Sequence, residues 1–148
     1  MTPDVLDAVD RSWSELRRRR ARLLVELTDR FAAAPSPPGA ARRAEWLLCA
    51  VEELVGLLTA PSQLAARARD IGETWPDPLT APCYAVEGRA WMGASQACLP
   101  TWSVRTEDAW RQAWLLLSEV LAAEALSPFA DAPCPERSTL TATVDDGH

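Results

Sequence analysis

The amino-acid sequence predicts an all-α domain, and three observations carry that expectation. Apolar residues recur at steps of three and four along most of the chain, and clusters of proline break the pattern at intervals. No segment alternates apolar and polar residues with the period of two that marks a half-buried strand. At 148 residues, 48% apolar and 24% charged, the chain suits one hydrophobic core and the balance of an ordinary globular domain.

From Pro3 to about Ala34, Val5, Val9, Trp13, Leu16, Leu23, Leu24, Leu27 and Phe31 form an apolar stripe, so one or two amphipathic helices are expected, with Thr2 as cap and Pro3 in the first turn. Pro35-Ser36-Pro37-Pro38-Gly39 ends them, because proline cannot donate to a helix ladder and disfavours helix in the residue before it. A helix from Ala40 to about Leu58 follows, with Trp46, Leu47, Ala50, Leu54 and Leu57 on one face and Arg43, Glu45, Glu52 and Glu53 largely on the other. After Thr59-Ala60-Pro61, Ser62 to Thr74 reads as a shorter helix carrying Leu64, Ala68 and Ile71. The stretch Pro76 to Pro82 holds three prolines and is expected to be a stiff, extended loop. Tyr84 to Leu99 is the next helix, with Tyr84, Gly88, Trp91, Met92 and Ser95 on a common side. Ser103 is a good cap for a last long helix containing Ala109, Trp110, Ala113, Trp114, Leu117, Val120 and Leu121. The domain is expected to span residues 1–127, and the Pro-, Ser-, Thr- and Asp-rich residues 128–148 to form a mobile tail.

A net charge of −6 opposes a phosphate-tracking mode, which depends on an excess of basic side chains, so no nucleic-acid partner is expected. The run Arg17-Arg18-Arg19-Arg20, flanked by Glu15 and Glu26, reads as a solvated helix face. No membrane partner is expected either, because the strongest apolar segment, Trp46 to Leu58, is interrupted by Glu52 and Glu53. Without a basic, then apolar, start the chain is expected in the cytoplasm. Cys49, Cys83, Cys98 and Cys134 lie far apart with no C-x-x-C pair, so free thiols and no metal site are expected. All fifteen basic residues are arginine and alanine is abundant, a composition that suggests a GC-rich bacterial source.

The order of these helices, and several short motifs within them, resemble bacterial globins of the flavohaemoglobin and sensor type. Tyr84-Ala85-Val86-Glu87-Gly88-Arg89-Ala90-Trp91 is similar to that family's Tyr-x-x-Val-Gly-x-Ala-Leu at the start of helix G, with glutamate in place of valine. Trp102-Ser103 followed by Ala109-Trp110-Arg111-Gln112-Ala113-Trp114 resembles Trp-Thr and then Ala-Trp-x-x-Ala-Tyr in helix H. Ser12-Trp13, Leu16 and Arg30-Phe31-Ala32-Ala33-Ala34-Pro35 resemble Ser-Trp and Leu-Phe-x-x-x-Pro across helices A to C. The likeness covers roughly residues 3–126 and implies a globin-like helical fold in which the proline-rich stretch is the loop between helices F and G.

The family's F helix ends in Leu-Gly-x-x-His, whose histidine holds the iron, whereas this chain has Ile71-Gly72-Glu73-Thr74-Trp75. An indole N–H is a donor without a lone pair for iron, and the single histidine, His148, is the last residue. Leu27 stands about where these globins often place a tyrosine, and no phenylalanine follows Pro35 to clamp a porphyrin. The resemblance therefore implies a haem-free member with no cofactor. Ligation by Cys83, Tyr84, Cys98 or Met92 is the chemistry a haem-binding alternative would need.

A globin fold without haem leaves space that side chains must fill or another molecule must occupy. The seven tryptophans could collapse inward, or they could line a reshaped pocket with Leu27, Phe31, Trp46, Ala50, Trp75, Tyr84, Gly88, Trp91 and Trp114 as its walls. The expected partner is then a bulky apolar small molecule. If the molecule is also transformed, Tyr84 and Glu87, three apart on one helix, with Arg43 or Arg89 to hold an anionic group, are the acid–base set available. That set suits a cofactor-independent lyase or cyclase of bacterial specialised metabolism, acting by dehydration, conjugate addition or ring closure. Taken singly, Glu87 reads more readily as a surface charge and Tyr84 as a buried phenol, and Cys83 and Cys98 as packed thiols. The alternative is a haem-free regulatory module working as a homodimer through its last helix.

Overall fold

A computed structural model describes residues 1–36, 38–77 and 79–124, and these form six helices with no strand among them. They are α1 (Pro3–Arg18), α2 (Arg20–Ala32), α3 (Ala40–Val55), α4 (Pro61–Gly72), α5 (Tyr84–Cys98) and α6 (Val104–Glu124). The all-α expectation holds. The boundary expected at 127 and the tail from 128 to 148 lie outside the described residues.

Local chemistry sets the starts of α1, α3 and α6. The Thr2 hydroxyl accepts the Val5 N–H at 3.3 Å and Pro3 opens α1, while Ser103 Oγ accepts the Thr106 N–H at 3.2 Å to start α6. Gly39, with φ of 109°, lets the chain turn into α3 through a conformation costly for other residues. The break between α1 and α2 has no proline or glycine to explain it. It falls at Arg19, whose backbone N–H bonds Leu16 O and whose guanidinium donates to Cys98 O at the end of α5. Tertiary docking accounts for it: α1 packs on α6, whereas α2 packs on α3 and α5.

The core lies where those layers meet. α6 also packs on α4 and α5, and α3 on α4, so α2 and α6 are the two helices around which the others gather. Trp91 of α5, with no exposure, stands with its ring centroid 6.0 Å from Trp13 and 5.3 Å from Trp110. Trp110 Nε1 donates to Ser12 Oγ at 2.8 Å, so the indole N–H is satisfied inside the core. The C-terminal end of α5 has no basic residue of its own, and the start of α2 supplies the need: Arg19, just before it, donates to Cys98 O and Arg22 to Ala97 O at 3.0 Å, while Arg30 reaches Gly93 O, further back along α5, at 2.9 Å. Part of the basic run thus ties helices together instead of forming only a solvated face. Among the described residues no helix is long and apolar enough to cross a membrane.

Candidate functional site

Two places combine polar chemistry with an apolar setting. The first is interior. Arg43, in the first turns of α3, and Glu87, in the first turn of α5, are both buried, at 4% and 0% exposure. Arg43 Nη2 donates to Glu87 Oε1 at 3.4 Å, Arg43 Nη1 donates to Ser36 Oγ at 3.1 Å, and the guanidinium carbon lies 4.2 Å from the centre of the Phe31 ring on α2. This corrects two expectations: Arg43 does not lie on the solvent face, and Glu87 is not a surface charge. Each occupies the core phase of its helix, Arg43 with Leu47, Ala50 and Leu54, and Glu87 with Trp91, Ala94 and Cys98, all buried.

Among the described residues Glu87 Oε2 has no hydrogen-bond partner, and the same holds further along α5 for Trp91 Nε1 and Ser95 Oγ. A carboxylate removed from water with one oxygen unpartnered favours its neutral form. Burial lifts the Glu87 carboxyl from 4.5 to about 7 even though Arg43 pulls the other way. Tyr84, half-buried one turn earlier, is pushed above the ordinary phenol range by burial and then by the Glu87 charge. The structure thus brings Arg43, Glu87 and Tyr84 to one place. Arg89 is exposed on the next part of the helix.

Gly88 is required here by space. A Cβ added to it would stand 2.4 Å from Trp114 Nε1, the indole nitrogen that donates to Tyr84 O at 3.0 Å. Trp114 therefore presses its edge against the first turn of α5 beside the ion pair.

The second place is a surface groove of about 520 Å³ between α3 and α4. Trp46, Ala50 and Ile71 give it an apolar floor, Cys49 lies in its wall, and Arg42, Glu45, Glu53, Arg67 and Asp70 stand around it. Trp46 Nε1 donates to Ile71 O at 3.3 Å, which fixes the indole, and the Trp75 ring meets it edge-on at 4.9 Å. Trp75 Nε1 in turn donates to Thr80 Oγ1 at 3.3 Å, and Asp77 Oδ2 accepts from that hydroxyl at 3.0 Å. Arg67 pairs with Glu53 of α3 at 2.7 Å, from one helix to the other, and with Asp70 of its own helix at 3.6 Å.

The nine residues expected to line one pocket fall into separate settings. Trp46 and Ala50 line the groove, and Trp75 supports it through Trp46. Leu27, Phe31 and Trp91 are packed in the core at 0–1% exposure. Tyr84, Gly88 and Trp114 make the contact beside Glu87. Ser36 and the groove residues Arg67 and Asp70 were not anticipated: Ser36 sits in a proline cluster that reads only as a helix breaker, and the groove residues come from two helices whose relative placement the sequence does not state. Among the described residues no cluster of His, Cys, Asp or Glu could hold a metal ion. Cys49 and Cys98 are free, as expected, but Cys83 is disulfide-bonded and not a packed thiol. No protein family model, curated protein or solved structure matches the chain.

Proposed function

We propose that the chain is a haem-free, globin-like protein that binds a bulky apolar small molecule, and that the binding place is the groove between α3 and α4. The observation that carries this reading is the groove's position and lining: fixed indole, alanine and isoleucine below, charged side chains around. Such a surface removes apolar area from water while leaving polar atoms to orient a ligand. It lies beside the helix that the resemblance equates with the iron-bearing one. Trp75, in the place of the iron-holding histidine, has its N–H committed to Thr80. The pairings of α1 with α6, α2 with α3 and α5, and α4 with α6 suit a globin-like arrangement.

Arg43, Glu87 and Tyr84 are the groups through which such a protein would act as a cofactor-independent enzyme. An acid near neutrality, close to a fixed cation, can exchange a proton with a substrate and stabilise the anion that results. Because the pair is closed off by packing, chemistry there requires the interior to open.

Nile red, a neutral apolar fluorophore, tests the binding reading. Wild type is expected to bind it with a rise in emission, and Ala50→Trp, which fills the groove floor, to lose that binding while keeping its helical circular dichroism. Absence of binding by wild type, or equal binding by the folded variant, would overturn the assignment. Added haem is expected to give no stoichiometric Soret band. A second reading has one observation in its favour: Val104 and Leu115, eleven apart on one face of α6, are 75% and 63% exposed, as a dimerising helix would have them. Sedimentation showing a monomer across a wide concentration range removes it.

A further inference from the structure

Taking the groove between α3 and α4 as the binding place, we infer that its ligand is an organic cation: an apolar body that carries a protonated amine, with Glu45 as the carboxylate that receives the charge. α3 borders the groove with two rows of side chains. Trp46 and Ala50, one turn apart and buried, lie in the floor, and Glu45, Cys49 and Glu53, each one turn from the next and exposed, run beside them. A body resting on the floor therefore has the second row along its flank.

The charges around that floor are unequal. Two arginines, Arg42 and Arg67, face three acids, Glu45, Glu53 and Asp70. Arg67 is engaged by two of the acids, Glu53 at 2.7 Å and Asp70 at 3.6 Å, which ties the groove across near the end of α3. Glu45, two turns away, has no ion pair or hydrogen bond among the described residues. Arg42 stands in line with the floor, one turn before Trp46, and is the group an anionic ligand would need. The thiol between the acids feels their field: burial first, and then Glu52, lifts Cys49 above its ordinary range, Arg20 works against this, and Glu53 and Glu45 add to the rise. A negative potential of that kind beside an apolar floor favours a cation over an anion. The indole of Trp46, next to Glu45 in the chain, adds to the preference, because an aromatic face attracts a cation within about 6 Å. Glu45 and Glu53 stand about 12 Å apart along the helix, and among the described residues no group of His, Cys, Asp or Glu could hold a metal ion. The charge that fits is thus one carried on an organic body.

Calorimetric titration of the intact chain with three naphthalene probes of similar shape tests the assignment: naphthylethylamine, the neutral naphthylethanol and the anionic naphthylacetate. At near-neutral pH and low ionic strength the amine is expected to bind about five- to tenfold more tightly than the alcohol, the scale of one exposed ion pair together with a cation on an indole face, and the acetate more weakly than either. About half-molar salt is expected to shrink the amine's advantage, because the contact is open to screening. Glu45→Gln, at a solvent-facing position, is expected to bring the amine down to the level of the alcohol and leave the alcohol unchanged. Asp29→Asn, an exposed acid of α2 outside the groove, is expected to keep the advantage. Equal binding of amine and alcohol, tighter binding of the acetate, or an advantage that survives Glu45→Gln overturns the cation, while binding of the alcohol that is lost in Ala50→Trp keeps the groove reading. If none of the three binds, or the alcohol binds equally to Ala50→Trp, the groove reading falls and the cation with it.

Discussion

Two regions of α5, one turn apart, handle the interior in opposite ways. Around Trp91 the space is filled by the Trp13 and Trp110 rings, and Arg19, Arg22 and Arg30 work from the water side, donating to carbonyls at Cys98, Ala97 and Gly93 while keeping their charge partly solvated. Around Glu87 the arginine is inside, and so is its acid. A guanidinium at the rim costs little and ties helices together, whereas one sealed in the core depends on the ionisation of a single neighbour. Stability is therefore expected to reside at Trp91, and response to conditions at Glu87.

Breaking the aromatic side should have the largest effect. Trp91→Ala is expected to lower unfolding free energy by about 3–5 kcal/mol in urea titrations, the range for emptying a large aromatic site. A loss under about 1 kcal/mol would mean that the three rings do not form the packed centre.

Sharpening the polar side calls for a pH series. Since the folded chain holds the Glu87 proton more tightly than the unfolded chain, that group's contribution is fully present below about 4.5 and is lost as pH rises through about 7. Relative to wild type, Glu87→Gln should therefore gain about 3–4 kcal/mol as pH rises through that window and then level off. A stability difference that stays flat with pH contradicts the buried acid.

Gly88→Ala forces a Cβ against the Trp114 indole and is expected to cost about 1–3 kcal/mol and to displace that ring, visible in tryptophan emission. Gly56→Ala, where nothing stands within 4 Å, is the control that should not destabilise. The smallest effect belongs to the exposed pair of Arg11 and Asp7, 2.9 Å apart on α1. Arg11→Ala is expected to change stability by less than about 0.5 kcal/mol.

The helices were legible because their signals are local: Thr2 and Ser103 as caps, proline clusters as breaks, and the stripes of Val9, Trp13 and Leu16 or Trp110, Ala113 and Leu117 as core faces. The split at Arg19 was not, since its cause is the docking of two helices on different partners. Arg43 and Glu87 are the instructive pair. Counting from Leu47 and Ala50, or from Trp91 and Ala94, puts each on the buried stripe, yet residue type argues for solvent, and only the presence of one opposite charge on each stripe hints that they meet. The groove was half legible: Trp46 and Ala50 could be named, but the α4 wall depends on helix placement.

The indole N–H resonances of the seven tryptophans offer the most direct measurement, by ¹⁵N–¹H correlation spectra during titration with Nile red. Binding in the groove predicts shifts at Trp46 and Trp75, whose N–H groups bond Ile71 and Thr80, with Trp91 and Trp110 unmoved. Shifts confined to Trp91 and Trp110, or none at any indole, would contradict it.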